Sequence, residues 1–197
     1  MLVLYILTYI KLKNERNDLL VKAEQLEKIK KIEKAINEID KEEKYYKYDT
    51  IYKKHILCMK VKFGSKVFDI ESLGIRQKDS LYMAGKLIQD LLETLKEEKN
   101  IKYLVIIEGQ ASKIPFNDNP WQNNNTLSYL RALSLKQYWE KKGLLIEKTN
   151  CELIVCGSGE GGVPRIIPSL NKTKNEINSI EEGNQRFLVH IIAKPYK

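Results

Sequence analysis

The sequence is poor in the two residue types that most often bind transition metals, since its 197 residues include only three cysteines and two histidines. The cysteines, Cys58, Cys151 and Cys156, are odd in number and have no C-x-x-C spacing, so they predict neither a disulfide framework nor a zinc site. His55 and His190 lie far apart in the chain. We therefore expect no metal ion and no cofactor, and we expect the cysteines to be strand residues, most of them buried.

The chain also lacks a long hydrophobic run. Its most apolar stretch, residues 1–10 (MLVLYILTYI), falls well short of the ~20 residues that a membrane-spanning helix requires. It has neither the positive region nor the small-residue cleavage site of a signal peptide. Two interpretations remain open. The stretch is either the end of a transmembrane segment whose beginning lies outside this sequence, or an apolar helix end that is buried in an oligomer.

The formal net charge of +8 is not concentrated in a basic block. Lys and Glu are interspersed through most of the chain, which indicates a solvated surface rather than a nucleic-acid-binding site. The tyrosine-rich segment KYYKYDTIYKK at residues 44–54 permits stacking on bases, but it is more typical of a hinge whose tyrosines cover the edge of the next domain. We predict no nucleic-acid partner.

Gly and Pro are absent from residues 11–44, where strong helix formers predict one long helix. The apolar residues of this helix form a narrow stripe that consists of Leu12, Leu19 and Leu26, followed by Ile29, Ile32, Ile36 and Ile39. Such a stripe fits either a coiled coil with another copy of the chain or packing against the chain's own globular domain. Residues 11–54 are thus predicted to be a helical stalk and a hinge.

The remaining residues, 55–197, alternate between strand and helix patterns. Strands are predicted at 55–63, 101–107, 151–156 and 186–193. Helices are predicted from Asp79 or Ser80 to about Leu95, and over 127–142 with Thr126 as the N-cap and Gly143 as the stop. This order predicts an α/β (α+β) sandwich, in which a βαβαββ mixed sheet carries two helices on one face. Residues 157–185 show no clear periodicity.

Neither a catalytic constellation nor a nucleotide-binding loop is evident. Residues 157–162 fit the pattern G-x-G-x-x-G after a strand, but Pro164 and Pro168 follow where a dinucleotide loop requires a helix N-terminus. The serines lack the G-x-S-x-G context of a hydrolase nucleophile. We therefore predict that the protein is not an enzyme. The alternative is a hydrolase within residues 157–185.

Several short motifs occur in a set order between residues 103 and 186. A buried strand is followed by Gly109-Gln110-Ala111-Ser112, and the next helix contains Leu127-Ser128 followed by Arg131-Ala132. A Gly-x-Gly-Glu turn with Pro164 after it and Asn184-Gln185-Arg186 come later. Together these motifs resemble the OmpA-like domain family, which includes the C-terminal domain of the MotB flagellar stator subunit. The resemblance covers about residues 55–194 and implies the same fold.

In the members of that family that bind peptidoglycan, the Arg equivalent to Arg131 holds a carboxylate of the diamino acid in the stem peptide. The Asp of a Gly-His-Thr-Asp motif holds the ammonium group. Here Ser112 stands in place of that Asp and Gln110 in place of the His. A hydroxyl offers an ammonium only a neutral hydrogen bond, which is weaker than a charged one. Asp118 or Glu160 could supply the missing charge.

The resemblance implies a ligand-binding pocket for a peptidoglycan stem peptide. Its candidate residues are Arg131, Ser112, Gln110, Asn124, Ser128, Asn184 and Arg186. It also implies a bacterial, membrane-anchored protein with a periplasmic domain, and so favours the transmembrane interpretation of residues 1–10. The positive charges at Lys11, Lys13 and Arg16 oppose that orientation, because such charges are typical of a cytoplasmic flank.

The expected function is therefore non-enzymatic binding of peptidoglycan or of another envelope protein by a homodimer that the coil holds together. The lost acid leaves a second interpretation open. In it the chain is a structural subunit of a MotB-like stator, or of a Zorya-type anti-phage motor complex, beside a MotA-like channel subunit. Such a subunit would not bind peptidoglycan in the usual way.

Overall fold

The described residues form one five-stranded mixed sheet. The computed structural model describes residues 1–37, 45–58, 61–64, 66–97, 101–114, 123–148 and 151–195. The strands are β1 (Tyr46–Asp49), β2 (Lys54–Leu57), β3 (Ile101–Gln110), β4 (Cys151–Gly159) and β5 (Phe187–Pro195). Their order is β1-β2-β5-β3-β4, in which β3 and β4 are parallel and the other neighbours are antiparallel.

The described helices are α1 (Leu2–Asn37), α2 (Ile75–Thr94), α3 (Asn124–Lys141) and α4 (Lys174–Gly183). Helices α2 and α3 pack against one face of the sheet, and the core between them contains Tyr103, Val105 and Ile107 of β3. These are alternate residues, as a strand with one face toward helices requires. We call the other side of the sheet the opposite face. The predicted fold class, a mixed sheet with helices on it after a long N-terminal helix, is confirmed.

Two elements are additional to the predicted order. Strand β1 lies in the tyrosine-rich segment and pairs with β2, so that Tyr46 is 1% exposed and its hydroxyl donates to the Ala84 carbonyl at 2.9 Å. Helix α4 lies within residues 157–185, where no periodicity was evident. It begins at a capping box in which Thr173 and Glu176 each bond the other's backbone N–H.

Several predicted boundaries were wrong. Strand β2 ends at Leu57 rather than at residue 63, although Met59 and Lys60 lie outside the described residues. The alternation after it reflects core packing instead of strand pairing, because Val61 is 3% exposed and outside any strand. Helix α2 begins at Ile75, earlier than predicted. The N-cap of α3 is Asn123 rather than Thr126, since the Asn123 side chain accepts the Thr126 backbone N–H at 3.0 Å.

Two glycines allow α3 to lie directly on the ends of the parallel strands. A Cβ at Gly109 of β3 would lie 2.1 Å from the Ser128 carbonyl oxygen, and one at Gly157 of β4 would lie 2.3 Å from the Tyr129 backbone nitrogen. Both distances are too short for any side chain to be accommodated without moving backbone. The first turns of α3 are thus fixed against the place where β3 and β4 end.

Helix α1 contacts the domain only near its C-terminal end. Ile32 and Ile36 are 2% and 3% exposed in the same core as the sheet, whereas Leu12, Leu19 and Leu26 are all more than half exposed. The intramolecular alternative therefore applies to the end of the stripe, and its first part has no partner within the described chain. No helix among the described residues combines the length and apolar character that crossing a membrane requires.

The prediction that most of the cysteines are buried was wrong. Cys58 is exposed just after β2, and Cys151 and Cys156 are half-buried in β4. Strand β4 is at an edge of the sheet, where one side of a strand has no neighbour to cover it.

Candidate functional site

The fold brings three of the seven candidate residues together. Arg131, Ser112 and Asn124 line one pocket of about 180 Å³, which we call the Arg131 pocket. Its other lining residues are Phe63, Gly64, Lys66, Ile114, Leu127, Glu182 and Gln185. The pocket forms where the segment after β3 meets the first turns of α3, so it lies at the end of the sheet that Gly109 and Gly157 allow α3 to approach.

Arg131 is a buried cation that is only partly satisfied. The residue is 3% exposed, its Nε donates to the Val67 carbonyl at 3.1 Å, and its guanidinium lies 4.4 Å from the centre of the Phe63 ring. Its Nη1 is buried without a hydrogen-bond partner among the described residues. Burial lowers the pKa of Arg131 to about 10, so the side chain still carries its charge at neutral pH. An unpaired buried donor of a charged group costs more than ~1–3 kcal/mol, which a bound anion would offset.

Ser112 and Asn124 frame the same pocket from two directions. Ser112 follows β3 and is 6% exposed. Asn124 is the first residue of α3, and its Nδ2 donates to the Ile114 carbonyl at 3.1 Å. This bond fastens the segment after β3 to the start of the helix, so the positions of Ser112 and Arg131 depend on each other.

The acidic residue of this pocket is one that the sequence did not indicate. Asp118 lies outside the described residues, and Glu160 is exposed after β4 and does not line the pocket. Glu182 of α4 does line it and pairs with Lys62 at 3.2 Å, with its side chain 47% exposed. Among the described residues, the pocket therefore has the Arg131 and Lys66 cations and one accessible carboxylate.

Gln110 and Arg186 lie on the opposite face, away from Arg131. Arg186 Nε donates to Gln110 Oε1 at 3.0 Å, and Gln110 Nε2 donates to the Pro164 carbonyl at 3.3 Å. Arg186 also donates to the Pro164 carbonyl through Nη2. Gln110 is still part of β3, so its side chain takes the same face as Glu108, two residues before it. These two candidates hold a loop in place.

Asn184 bonds the same loop a little further on. Its Oδ1 accepts the Ile166 N–H at 2.8 Å and its Nδ2 donates to the Ile166 carbonyl at 3.0 Å, so both ends of this fully buried amide have partners. Between these contacts, Arg165 forms an ion pair with Glu181 and donates to the Ala111 carbonyl at 2.9 Å. We call this set of contacts to residues 163–166 the loop anchor.

Ser128, another of the candidates, joins α3 to β4. Its Oγ donates to the Asn125 carbonyl at 2.8 Å and accepts the Gly159 N–H at 2.9 Å, and the residue is completely buried. Both functions of the hydroxyl are thus used within the chain.

A buried ionic cluster lies next to the loop anchor and contacts it through Lys54. Glu108 Oε2 accepts from Lys54 Nζ at 2.8 Å and lies 2.9 Å from His190 Nε2, and the same lysine donates to the Val163 carbonyl at 2.9 Å. Burial alone would raise the pKa of Glu108, but the hydrogen bonds from His190, Lys54 and Ser158 outweigh it and lower the pKa to about 2. His190 lies on β5, which is an inner strand of the sheet.

His55 is also buried, at 2% exposure, and neither ring nitrogen makes a regular hydrogen bond with a described residue. Burial lowers the pKa of this imidazole to about 4, although the nearby Ile36 and Val189 backbone partly offsets the effect. Within the described ranges no three His, Cys, Asp or Glu residues are grouped so as to hold a metal ion.

Comparison with known proteins gives a match in structure but not in sequence. No family model and no curated protein matches the chain. A MotB-like protein from Desulfovibrio vulgaris superposes with a TM-score of 0.53 at 15% identity, over 86% of this chain and 95% of that one. The OmpA-like domain of FopA1 from Francisella tularensis gives 0.43 at 21% identity, over 77% and 80%. The C-terminal domain of Helicobacter pylori MotB gives 0.42 at 15%, over 69% and 85%.

At such identities a structural match establishes architecture and leaves the ligand open. The first superposition spans 86% of this chain and 95% of the other, and apart from the additional β1 and α4 the strands and helices follow the order that the sequence patterns predicted. The chain has an OmpA-like domain fold.

Proposed function

We propose that this protein is a non-enzymatic, membrane-anchored envelope protein whose domain binds the stem peptide of peptidoglycan in the Arg131 pocket. The observation that carries the proposal is the buried guanidinium of Arg131, which lines a pocket while one of its nitrogens has no hydrogen-bond partner among the described residues. A planar guanidinium suits a carboxylate, because two parallel N–H groups can bond two oxygens.

The pocket also contains groups that can contact the ammonium of a diamino acid. Ser112 offers the ligand's ammonium a neutral oxygen in place of the Asp of related domains, and the Glu182 carboxylate supplies a charge from a different element, α4. Because Glu182 is about half exposed and shared with Lys62, its attraction for an ammonium is screened by solvent. We therefore expect weaker binding than an Asp at position 112 would give.

A pull-down on purified sacculi tests the proposal. Arg131→Ala should reduce the bound fraction by about tenfold, since hydrogen bonds to charged groups contribute ~1.5–3 kcal/mol. Arg131→Lys, which keeps the charge and loses the planar fork, should be intermediate. Arg76→Ala is the matched control, because Arg76 is an exposed arginine of α2 outside the pocket and its loss changes the net charge equally.

The thermal midpoint of each variant must be measured beside the pull-down, since Arg131 also bonds Val67 and stacks on Phe63. Equal retention of wild type and a folded Arg131→Ala would contradict wall binding through this pocket. That result would favour the second candidate, a structural subunit of a MotB-like stator or Zorya-type motor beside a MotA-like channel subunit. The replacement of the family Asp by Ser112 is the observation that supports this candidate.

The stalk is proposed to form a homodimer through its exposed leucines. At about 100° per residue, the stripe of Leu12, Leu19 and Leu26 lies roughly 120° around α1 from Ile32 and Ile36, which are buried against the domain. The leucine stripe thus stays available to a second copy while the end of the helix remains docked. Residues 1–10, exposed and apolar, are proposed as the anchoring end. Sedimentation of the full chain in detergent tests the dimer, and a monomer at high micromolar concentration would contradict it.

A further inference from the structure

A second and larger pocket adjoins the Arg131 pocket. It encloses about 500 Å³ between the β1–β2 hairpin on one side and residue Ile166 with the end of α4 on the other. Glu182 and Gln185 line both pockets, so the two lie side by side where the chain enters β5. We call the two adjacent pockets together the β5 groove, in which the Arg131 pocket is the narrow end and the larger pocket is the wide part.

Taken together, the two parts have the size of a small-molecule site. Small-molecule sites usually enclose about 300–1,000 Å³. The Arg131 pocket alone, at about 180 Å³, is below this range, whereas the two pockets together enclose about 680 Å³. The narrow end has room for a ligand head group that carries a carboxylate, and the wide part has room for the segment of the ligand that continues from this head group.

The charged residues of the wide part determine which kind of ligand it can bind. Lys47, Lys62 and Arg186 contribute cations, and Asp49 and Glu182 contribute carboxylates. Acidic groups in the wall disfavour a polyanion such as a nucleic acid, because like charges close together are repelled. Walls of mixed sign suit a peptide that carries both carboxylates and amide or ammonium groups.

We infer that the β5 groove binds the peptide segment that continues from the residue held at Arg131, so the β1–β2 hairpin takes part in recognition beside the Arg131 pocket. The inference rests on the proposed function, since it places the end of the peptide in the Arg131 pocket. It adds a recognition surface on the β1–β2 hairpin. Lys47, exposed on β1, is the residue we expect to contact a carboxylate further along the peptide.

Cys58 can serve as a chemical probe of ligand binding in this groove. It is exposed and lines the wide part, whereas Cys151 and Cys156 lie in β4 outside both pockets. Alkylation of the full chain by iodoacetamide, followed residue by residue with mass spectrometry, should slow severalfold at Cys58 when a synthetic stem tripeptide that ends in diaminopimelic acid is present. Free diaminopimelic acid should leave the rate unchanged, and the two β4 cysteines serve as internal controls.

Calorimetry with the same two probes separates the inference from the function on which it rests. Lys47→Glu should weaken the tripeptide about tenfold and leave the free diamino acid unaffected, whereas Lys174→Glu, an exposed lysine of α4 outside the groove, should change neither. Tripeptide binding that depends on Arg131 but neither protects Cys58 nor responds to Lys47→Glu would overturn the inference and leave the proposed function intact. Failure of both probes to bind would overturn the proposed function and the inference with it.

Discussion

The Arg131 pocket and the loop anchor both bury polar side chains at the same end of the sheet, but they use them differently. In the loop anchor, the amides of Gln110 and Asn184 have partners for oxygen and nitrogen alike within the chain. In the pocket, Arg131 keeps a buried nitrogen without a partner among the described residues. A polar group whose bonds are all made internally stabilises the fold. One that keeps an unmade bond beside a cavity is suited to a ligand.

The largest effect that this comparison predicts is on stability. Glu108→Gln removes the charge that Lys54 and His190 share beneath the loop anchor and leaves Lys54, whose side chain is 14% exposed, without its anion. The pKa of Glu108 is lowered from 4.5 to about 2 in the folded chain, and at ~1.4 kcal/mol per unit this is worth up to ~3 kcal/mol. We expect urea denaturation at pH 7 to show a loss of about 2–3 kcal/mol.

The same substitution should alter the pH dependence of stability. Because the folded pKa is below the unfolded value, the contribution of Glu108 is complete above about pH 4.5 and is lost as the pH falls toward 2. The free energy of unfolding of Glu108→Gln should therefore fall less than that of the wild type as the pH decreases from about 4.5 toward 2. Glu152→Gln, at an exposed carboxylate of β4, should stay within ~0.5 kcal/mol of wild type. Equal effects of the two substitutions would contradict the stabilising role of Glu108. A selective loss of ligand affinity with Glu108→Gln would contradict the distinction between a loop anchor that stabilises the fold and a pocket that binds a ligand.

The best-predicted elements were those with strong local signals. The apolar run at 101–107 and the helix that ends before Gly143 were both correctly placed, and Gly143 has the positive φ of 81° that favours glycine after a helix. Helix α4 was not predicted because its ten residues include only two apolar ones, Ile177 and Ile180, which are too few for a periodic pattern. Its capping box at Thr173 and Glu176 is a local signal that could have revealed it.

The site could be predicted only as far as the motifs placed it. The end of β3 and the start of α3 necessarily meet, so Ser112 and Arg131 come together. Gln110, by contrast, is the last residue of a strand whose side chains alternate, and this alternation turns it away from α3. Glu182 could not be found from sequence, because its approach depends on how a helix some 50 residues beyond Arg131 packs. Long-range placement of this kind carries no local pattern.

The smallest predicted effect is on the affinity of the Arg131 pocket for its ligand. Ser112→Asp restores the acid that related domains place at this position, beside Arg131 in the same pocket. If the ligand carries an ammonium, the charged hydrogen bond should strengthen binding of the stem tripeptide by about 1 kcal/mol, or about fivefold, in calorimetry. Ser112→Asn has nearly the same shape without the charge and is the matched control.

An Asp variant that binds no better than the Asn variant would contradict an ammonium at this end of the pocket. It would mean that the chain recognises a carboxylate alone, for which Ser112 is adequate and an acid is unfavourable because it would compete for Arg131. In that case the unpaired guanidinium nitrogen would still mark a ligand site, but its ligand would be one whose head group lacks a second charge.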